Sequence, residues 1–164
     1  MKKIVPTIYK IILFLSIFDC FLLRRSSYAF FPIINEPHPK ELESTSIQLG
    51  KTAKKLIQFG ENNQAIKLLQ LAVKLNPKEK DLWIMLAEAQ VRSDKKHDAL
   101  SSLNEAIKLK PKEQNTYFRK ASIYMDLNDP NNAKLSIKKG LSINNNSEKG
   151  YFQLGNAEIM LNNY

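Results

Sequence analysis

From residue 46 onward, apolar and small residues recur at helical spacing, and the block they form recurs every 34 residues. In the clearest block, Lys80 to Glu113, residues Trp83, Leu86 and Ala87 fall one turn apart on a single helical face. Ala99, Leu100, Leu103, Ala106, Ile107 and Leu109 form the matching stripe of a second helix, a short polar turn joins the two, and Pro111 closes the pair. The step carries through several columns at once: Leu49, Trp83, Tyr117, Tyr151; Ala53, Ala87, Ala121, Gly155; Ala65, Ala99, Ala133; Ala72, Ala106, Gly140; and Pro77, Pro111, Asn145. Self-similarity in several columns outranks any single local signal. The pattern predicts helices over 39–59, 63–76, 80–93, 97–110, 114–127, 130–144 and 148–161, the sixth opened by Asp129 as N-cap and Pro130 as first helical residue.

The residue types explain the architecture. Alanines let two antiparallel helices approach closely, and the larger residues fill the grooves beside them. One pair cannot bury both its faces, so neighbouring pairs must stack. The expected structural core is therefore Leu49, Ala53, Ala65, Leu69, Ala72 and Pro77 in residues 46–79. It continues as Trp83, Leu86, Ala87, Ala99, Leu103, Ala106 and Pro111 in 80–113, and as Tyr117, Ala121, Tyr124, Ala133 and Ile137 in 114–147. Trp83 is expected to be largely buried. A fourth, partial block over 148–164 keeps Tyr151, Leu154 and Gly155 and would leave Phe152, Ile159 and Met160 on an open side. That points to truncation, or to a partner or second copy at this end.

These residues resemble the tetratricopeptide (TPR) repeat family. Trp83, Leu86, Ala87, Ala99, Leu103, Ala106 and Pro111 match in the best copy. Leu49, Ala53, Leu56, Ala65, Leu69, Ala72 and Pro77 match in the first, and Tyr117, Ala121, Tyr124, Ala133 and Ile137 in the third. Asn145, Gly140 and Lys120 depart from the pattern. The resemblance implies an all-α fold, a right-handed α-α superhelix of three full repeats plus the first helix of a fourth, and a concave surface formed by the first helix of each pair. On that surface the positions beside the core stripe are Ile84, Glu88 and Val91, then Phe118, Ser122 and Met125, then Phe152, Asn156 and Ile159. They give two ladders, Ile84/Phe118/Phe152 and Ile57/Val91/Met125/Ile159, an apolar groove for a peptide or helix of a protein partner. TPR domains that grip acidic tails of heat-shock chaperones use lysine, asparagine and arginine here. Only Lys54 and Arg119 correspond, with Gly50 and Asn115 where lysines are expected, so the resemblance does not extend to that specificity.

Ahead of the repeats, Lys2 and Lys3 precede the apolar run Ile11–Phe18, and Ser27-Tyr28-Ala29 has small residues at the two positions a signal peptidase reads. Residues 1–29 read as a signal peptide cleaved after Ala29, although Asp19 and Arg24-Arg25 fit it poorly, or as an uncleaved anchor over 4–23, about 30 Å as a helix, or as a buried helix. The flanking charges do not set an orientation. Residues 30–45 form a proline-rich linker and the start of the first helix, where Pro39 suits a first turn.

Charge and chemistry narrow the function. The formal net charge is +9, and about +5 remains without residues 1–25. The downstream lysines alternate with acids, a solvated surface rather than a nucleic-acid track. Cys20 is alone, which leaves no disulfide framework and no cysteine metal site. His38 and His97 lack partners at ligand spacing, and no glycine-rich phosphate loop occurs. The sequence calls for no cofactor and no enzyme. It describes an exported or membrane-associated scaffold or assembly adaptor, with a soluble chaperone-type adaptor or an RNA-associated repeat protein as the alternatives.

Overall fold

The computed structural model describes residues 38–162. Among these there are seven helices and no strand: α1 (Pro39–Gln58), α2 (Asn62–Leu75), α3 (Lys80–Arg92), α4 (Lys96–Leu109), α5 (Gln114–Asp126), α6 (Pro130–Leu141) and α7 (Glu148–Asn162). The signal-peptide and anchor readings of residues 1–29 lie outside the described residues. Within them, no helix is long and apolar enough to cross a membrane. Each helix packs on its neighbours in sequence, most extensively within the pairs α1–α2, α3–α4 and α5–α6. This is the all-α array of stacked helix pairs that the 34-residue step predicts and the solenoid that the TPR resemblance implies.

The turns inside the pairs repeat as faithfully as the helices. Gly60, Asp94 and Asn128, 34 residues apart, all take the left-handed conformation, at φ 81°, 58° and 58°, which glycine, aspartate and asparagine tolerate best. In each turn the next amide closes back on the preceding helix: Glu61 N donates to Leu56 O at 2.9 Å, Lys95 N to Gln90 O at 2.8 Å, and Asp129 N to Tyr124 O at 2.8 Å. These are the 6→1 bonds of a Schellman motif, which occupy carbonyls the helix end leaves free.

Helix α6 ends three residues short of the expected boundary. In Ser142–Ser147 the side chains compete for the backbone: Ser142 Oγ donates to Lys139 O (2.8 Å), Asn144 Oδ1 accepts from Asn146 N (3.0 Å), and Ser147 Oγ accepts from Gly150 N (3.2 Å). At the other end of α6, Pro130 follows the N-cap Asp129 as expected. The Asn132 side-chain amide, at 2.6 Å, and then its backbone N–H, at 3.0 Å, hold the Asp129 carboxyl below its ordinary pKa. A carboxyl depressed in the folded state stabilises fully above its unfolded value, about 3.9, and loses that contribution as pH falls through the folded value. Asp129→Ala should therefore cost about 1 kcal/mol in urea unfolding at pH 7, and the loss should shrink below pH 4.

Packing between successive pairs is set by compensating volumes. At the first junction, a Cβ on Gly50 would lie 2.8 Å from Leu82 Cδ2: a small residue receives a large one. At the third the order reverses. Phe118, fully buried, is the largest such side chain in the described protein. A Cβ on Gly140 would lie 2.5 Å from its Cε1, and one on Gly150 would lie 2.8 Å from its Cζ. In register, the column Gly50, Ile84, Phe118 grows along the sequence while the column Leu82, Thr116, Gly150 shrinks. The two glycines make the space that the ring occupies, so Phe118 belongs to the core, with Ala121, Ala133, Ile137 and Ala157, and not to the groove where the sequence put it.

Other core positions fall close to expectation. Ala53, Ala65, Leu69, Ala72, Ala87, Ala99, Leu103, Ala106, Ala121, Ala133 and Ile137 are all buried, as are Leu86 and Tyr117. Leu49 and Tyr124 are half-buried against the clusters. Pro77 and Pro111 are exposed; they end helices rather than fill space. Trp83 is half-buried, not largely buried, because its indole N–H reaches out to Pro77 O at 2.9 Å. Tyr117 O–H makes the same contact with Pro111 O at 3.0 Å, 34 residues on. Trp83 and Tyr117 thus tie the second and third helix pairs to the turns before them, and the register stands. Tyr151, at the same column after Asn145, is 56% exposed.

Candidate groove between the first helices

The first helices of the pairs are α1, α3, α5 and α7. Helix α1 touches α3, and α5 touches α7, but α3 and α5 barely meet, and α4 against α5 is the lightest contact between consecutive helices. The gap is a cavity of about 300 Å³ lined by Ile84, Val91, Leu103, Arg119, Ser122 and Ile123, among others. A second cavity of about 390 Å³ continues it toward α1, where Lys54 and Ile57 face Met85. Ile84, Glu88, Arg92 and Arg119 border both, which makes one trough across three helices.

The trough is apolar along its floor and charged along its rim. Arg92 pairs with Glu88 on the next turn of α3 at 3.1 Å. Asp81 pairs with Lys80, whose ammonium also contacts Glu113 at 2.6 Å and whose pKa is raised chiefly by that bond. Among the described residues Arg119 and Lys54 have no ion pair, so the rim carries two uncompensated cations. Asp126, at the far end of α5, lines the cavity with no salt bridge either.

Of the nine positions expected in the groove, Ile84, Glu88, Val91 and Ser122 come together there. Phe118 does not, since it is buried beneath Gly140 and Gly150. Met125 is half-buried against the third core cluster. Phe152, Asn156 and Ile159 sit on α7 and line neither cavity. Their separation has a local cause: α7 docks directly on α5, with Gln153 Nε2 donating to Ser122 Oγ at 2.7 Å and to Phe118 O at 3.3 Å. The ladders through Phe118 to Phe152 and through Met125 to Ile159 are therefore interrupted. Met85, Arg92 and Asp126 line the trough without having been expected. The i,i+4 spacing of Glu88 and Arg92 placed both on one face and could have signalled the arginine.

No group of three or more His, Cys, Asp or Glu side chains that could hold a metal occurs among the described residues. His97 is exposed at the start of α4, and Ser101 Oγ donates to the His97 carbonyl rather than facing a base.

Comparison with known proteins agrees with this fold. The family described as ChAPs (Chs5p-Arf1p-binding proteins) matches residues 43–157. No curated protein matches the chain in sequence. Among solved structures, the crystal structure of MamA is similar at 24% identity and TM-score 0.66 over 71% of this chain, which spans only 64% of the MamA chain. The first TPR of Spaghetti (RPAP3), bound to the HSP90 peptide SRMEEVD, is similar at 21% identity and TM-score 0.67, covering 73% of this chain and 94% of that one. The Yersinia enterocolitica type III secretion chaperone SycD, in complex with a peptide of the translocator YopD, is similar at 18% identity and TM-score 0.62, covering 73% and 91%. At these identities the likeness is one of fold.

Proposed function

The chain belongs to the ChAPs family, the Chs5p-Arf1p-binding proteins, and from that footing we propose that it is a non-catalytic adaptor that holds a segment of a protein partner in the trough between α1, α3 and α5. The observation that carries the reading is the gap between α3 and α5, where Ile84 and Val91 offer apolar surface beside the unpaired Arg119. A segment with one apolar residue over Ile84 and Val91 and an acidic residue turned toward Arg119 and Lys54 fits both the floor and the rim. The peptides held by the RPAP3 and SycD domains support a peptide ligand here. Residues 4–23 carry the further reading that this adaptor works at or beyond a membrane, since their length and apolar character suit an export signal or anchor.

The test is binding to a library of 15-residue peptides by fluorescence polarisation. Arg119→Glu should weaken the best acidic-apolar binder by roughly tenfold or more, while Lys138→Glu, on exposed α6 surface, should leave it unchanged. Arg119 is exposed, so the thermal midpoint should hardly move. Equal losses in both variants would reduce the effect to net charge and remove the trough from the account.

A further inference from the structure

The turns between the helix pairs lie along one edge of the array, where α2 and α4 end and α3 and α5 begin. The first two repeat a motif at the 34-residue step, Lys74-Leu75-Asn76-Pro77-Lys78 and Lys108-Leu109-Lys110-Pro111-Lys112. They sit side by side, since Lys80 after the first reaches Glu113 after the second at 2.6 Å. In sequence these lysines alternate with acids, but in the structure the acids are occupied. Glu79 caps α3 by accepting from Asp81 N at 3.2 Å, and Asp81 and Glu113 share the Lys80 ammonium. Lys108 pairs with Glu105 at 2.6 Å. Lys74, Lys78, Lys110 and Lys112 are exposed and, among the described residues, have no ion pair. Helix dipoles do not offset them: each turn joins the C-terminus of one helix to the N-terminus of the next, and the opposite partial charges cancel. The other edge differs, for its turns hold Glu61, Asp94 and Asp129 against Lys95 and Lys96, with Asp94 and Lys96 paired at 3.1 Å.

We infer that this edge docks on an anionic lipid surface, with the four lysines among the headgroups and Leu109 set between them. Pro77 and Pro111 are exposed, and Leu109, the last residue of α4, is 37% exposed, so the edge offers an apolar tip flanked by ammonium groups. Lysine suits that geometry, because its stem lies along apolar surface while its charge stays in the headgroup layer. Clustered lysines gain from the negative potential of such a surface without any specific partner geometry. Nucleic acid fits less well. Neither turn carries an arginine, and the aromatic residues that reach the turns, Trp83 and Tyr117, are tied to the Pro77 and Pro111 carbonyls and do not stand free for stacking. The edge is also distinct from the trough, since Lys74, Lys78, Lys110 and Lys112 line neither of its cavities. It draws nothing from residues 4–23.

The test uses the full chain with Cys20→Ser and one new cysteine, Leu109→Cys or Leu135→Cys, carrying an environment-sensitive fluorophore. Each is reconstituted from detergent into vesicles of phosphatidylcholine, alone or with phosphatidylserine added. Because the readout is local, a chain held only through residues 4–23 gives no signal at position 109. The label at 109 should brighten and shift to shorter wavelength on the phosphatidylserine vesicles alone, and the shift should vanish in about 1 M salt, where the screening length is about 3 Å. The label at 135, on a 66% exposed site of α6, should not respond. Replacing Lys74, Lys78, Lys110 and Lys112 by glutamine should lower the docked-to-free ratio about fivefold per lysine, so the four together should abolish the shift while the helical signal holds. No shift at 109, equal shifts at 109 and 135, a shift on neutral vesicles, or one that survives the four substitutions would overturn the assignment. So would a label at 109 that responds to single-stranded RNA and not to vesicles, which would make the edge a nucleic-acid surface.

Discussion

Phe118→Ala should lower the unfolding free energy by about 3–5 kcal/mol, read from urea titration of the helical signal. Phe118 is fully enclosed: Gly140 and Gly150 approach its ring from two helices, and Ala121, Ala133, Ile137 and Ala157 share its buried cluster. The backbone of two helices at Gly140 and Gly150 cannot close fully on the void, so a cavity term adds to the lost transfer energy. The same substitution at a groove position would weaken binding and leave stability within about 0.5 kcal/mol. A loss of that small size would return Phe118 to the surface and dissolve the volume argument.

Gly150→Leu should destabilise by about 1–3 kcal/mol, even though leucine is the better helix former by nearly 1 kcal/mol. A Cβ at 150 would lie 2.6 Å from Leu141 Cδ2 and 2.8 Å from Phe118 Cζ. The two obstructing side chains come from different helices, and neither is the free end of an exposed chain: Phe118 is sealed and Leu141 is half-buried. The propensity gain is the smaller term. Combining Phe118→Ala with Gly150→Leu approximates the first junction, where small Gly50 receives Leu82. The double variant should therefore be more stable than the sum of the single losses by roughly 0.5–3 kcal/mol, the coupling expected of residues that share one space. Strict additivity would mean that the two positions do not compete for it.

What could be read from the residues, and what could not, divides along the same line. The alanine columns fix where helices approach closely, because a residue at a close crossing must be small whatever its neighbours are; Ala53, Ala87 and Ala121 are buried accordingly. The proline and left-handed turn positions are equally local, and the helix boundaries follow from them to within three residues. A position at the flank of the core stripe is different. Ile84 and Phe118 occupy the same column, yet one borders a cavity and the other is sealed. The outcome depends on volumes contributed by residues that are distant in sequence, here Gly140 and Gly150. Gly140 was visible as a departure from the repeat and Gly150 was not singled out, and the meaning of both emerges only when the ring between them is placed. The trough was legible in part for the same reason: Ile84, Glu88, Val91 and Ser122 share it, while docking of α7 on Ser122 and Phe118 cuts off the extension to Phe152, Asn156 and Ile159. Lys120, where the pattern has leucine, shows how such a departure is absorbed. Its Nζ donates to Asn104 Oδ1 at 2.8 Å and lies 5.7 Å from the Tyr124 ring centroid, and burial lowers its pKa.

The central claim, that the trough between α3 and α5 holds a partner's peptide, is met most directly by photo-crosslinking in the native membrane and soluble fractions. A photoreactive residue at Val91 faces the trough, whereas one at Leu135 occupies a 66% exposed site on α6 away from it. The account predicts one recurrent adduct from position 91, identified by mass spectrometry through a segment with adjacent apolar and acidic residues, lost with Arg119→Glu and missing from position 135. The same adducts from both positions, or an adduct at 91 that survives Arg119→Glu undiminished, would contradict it.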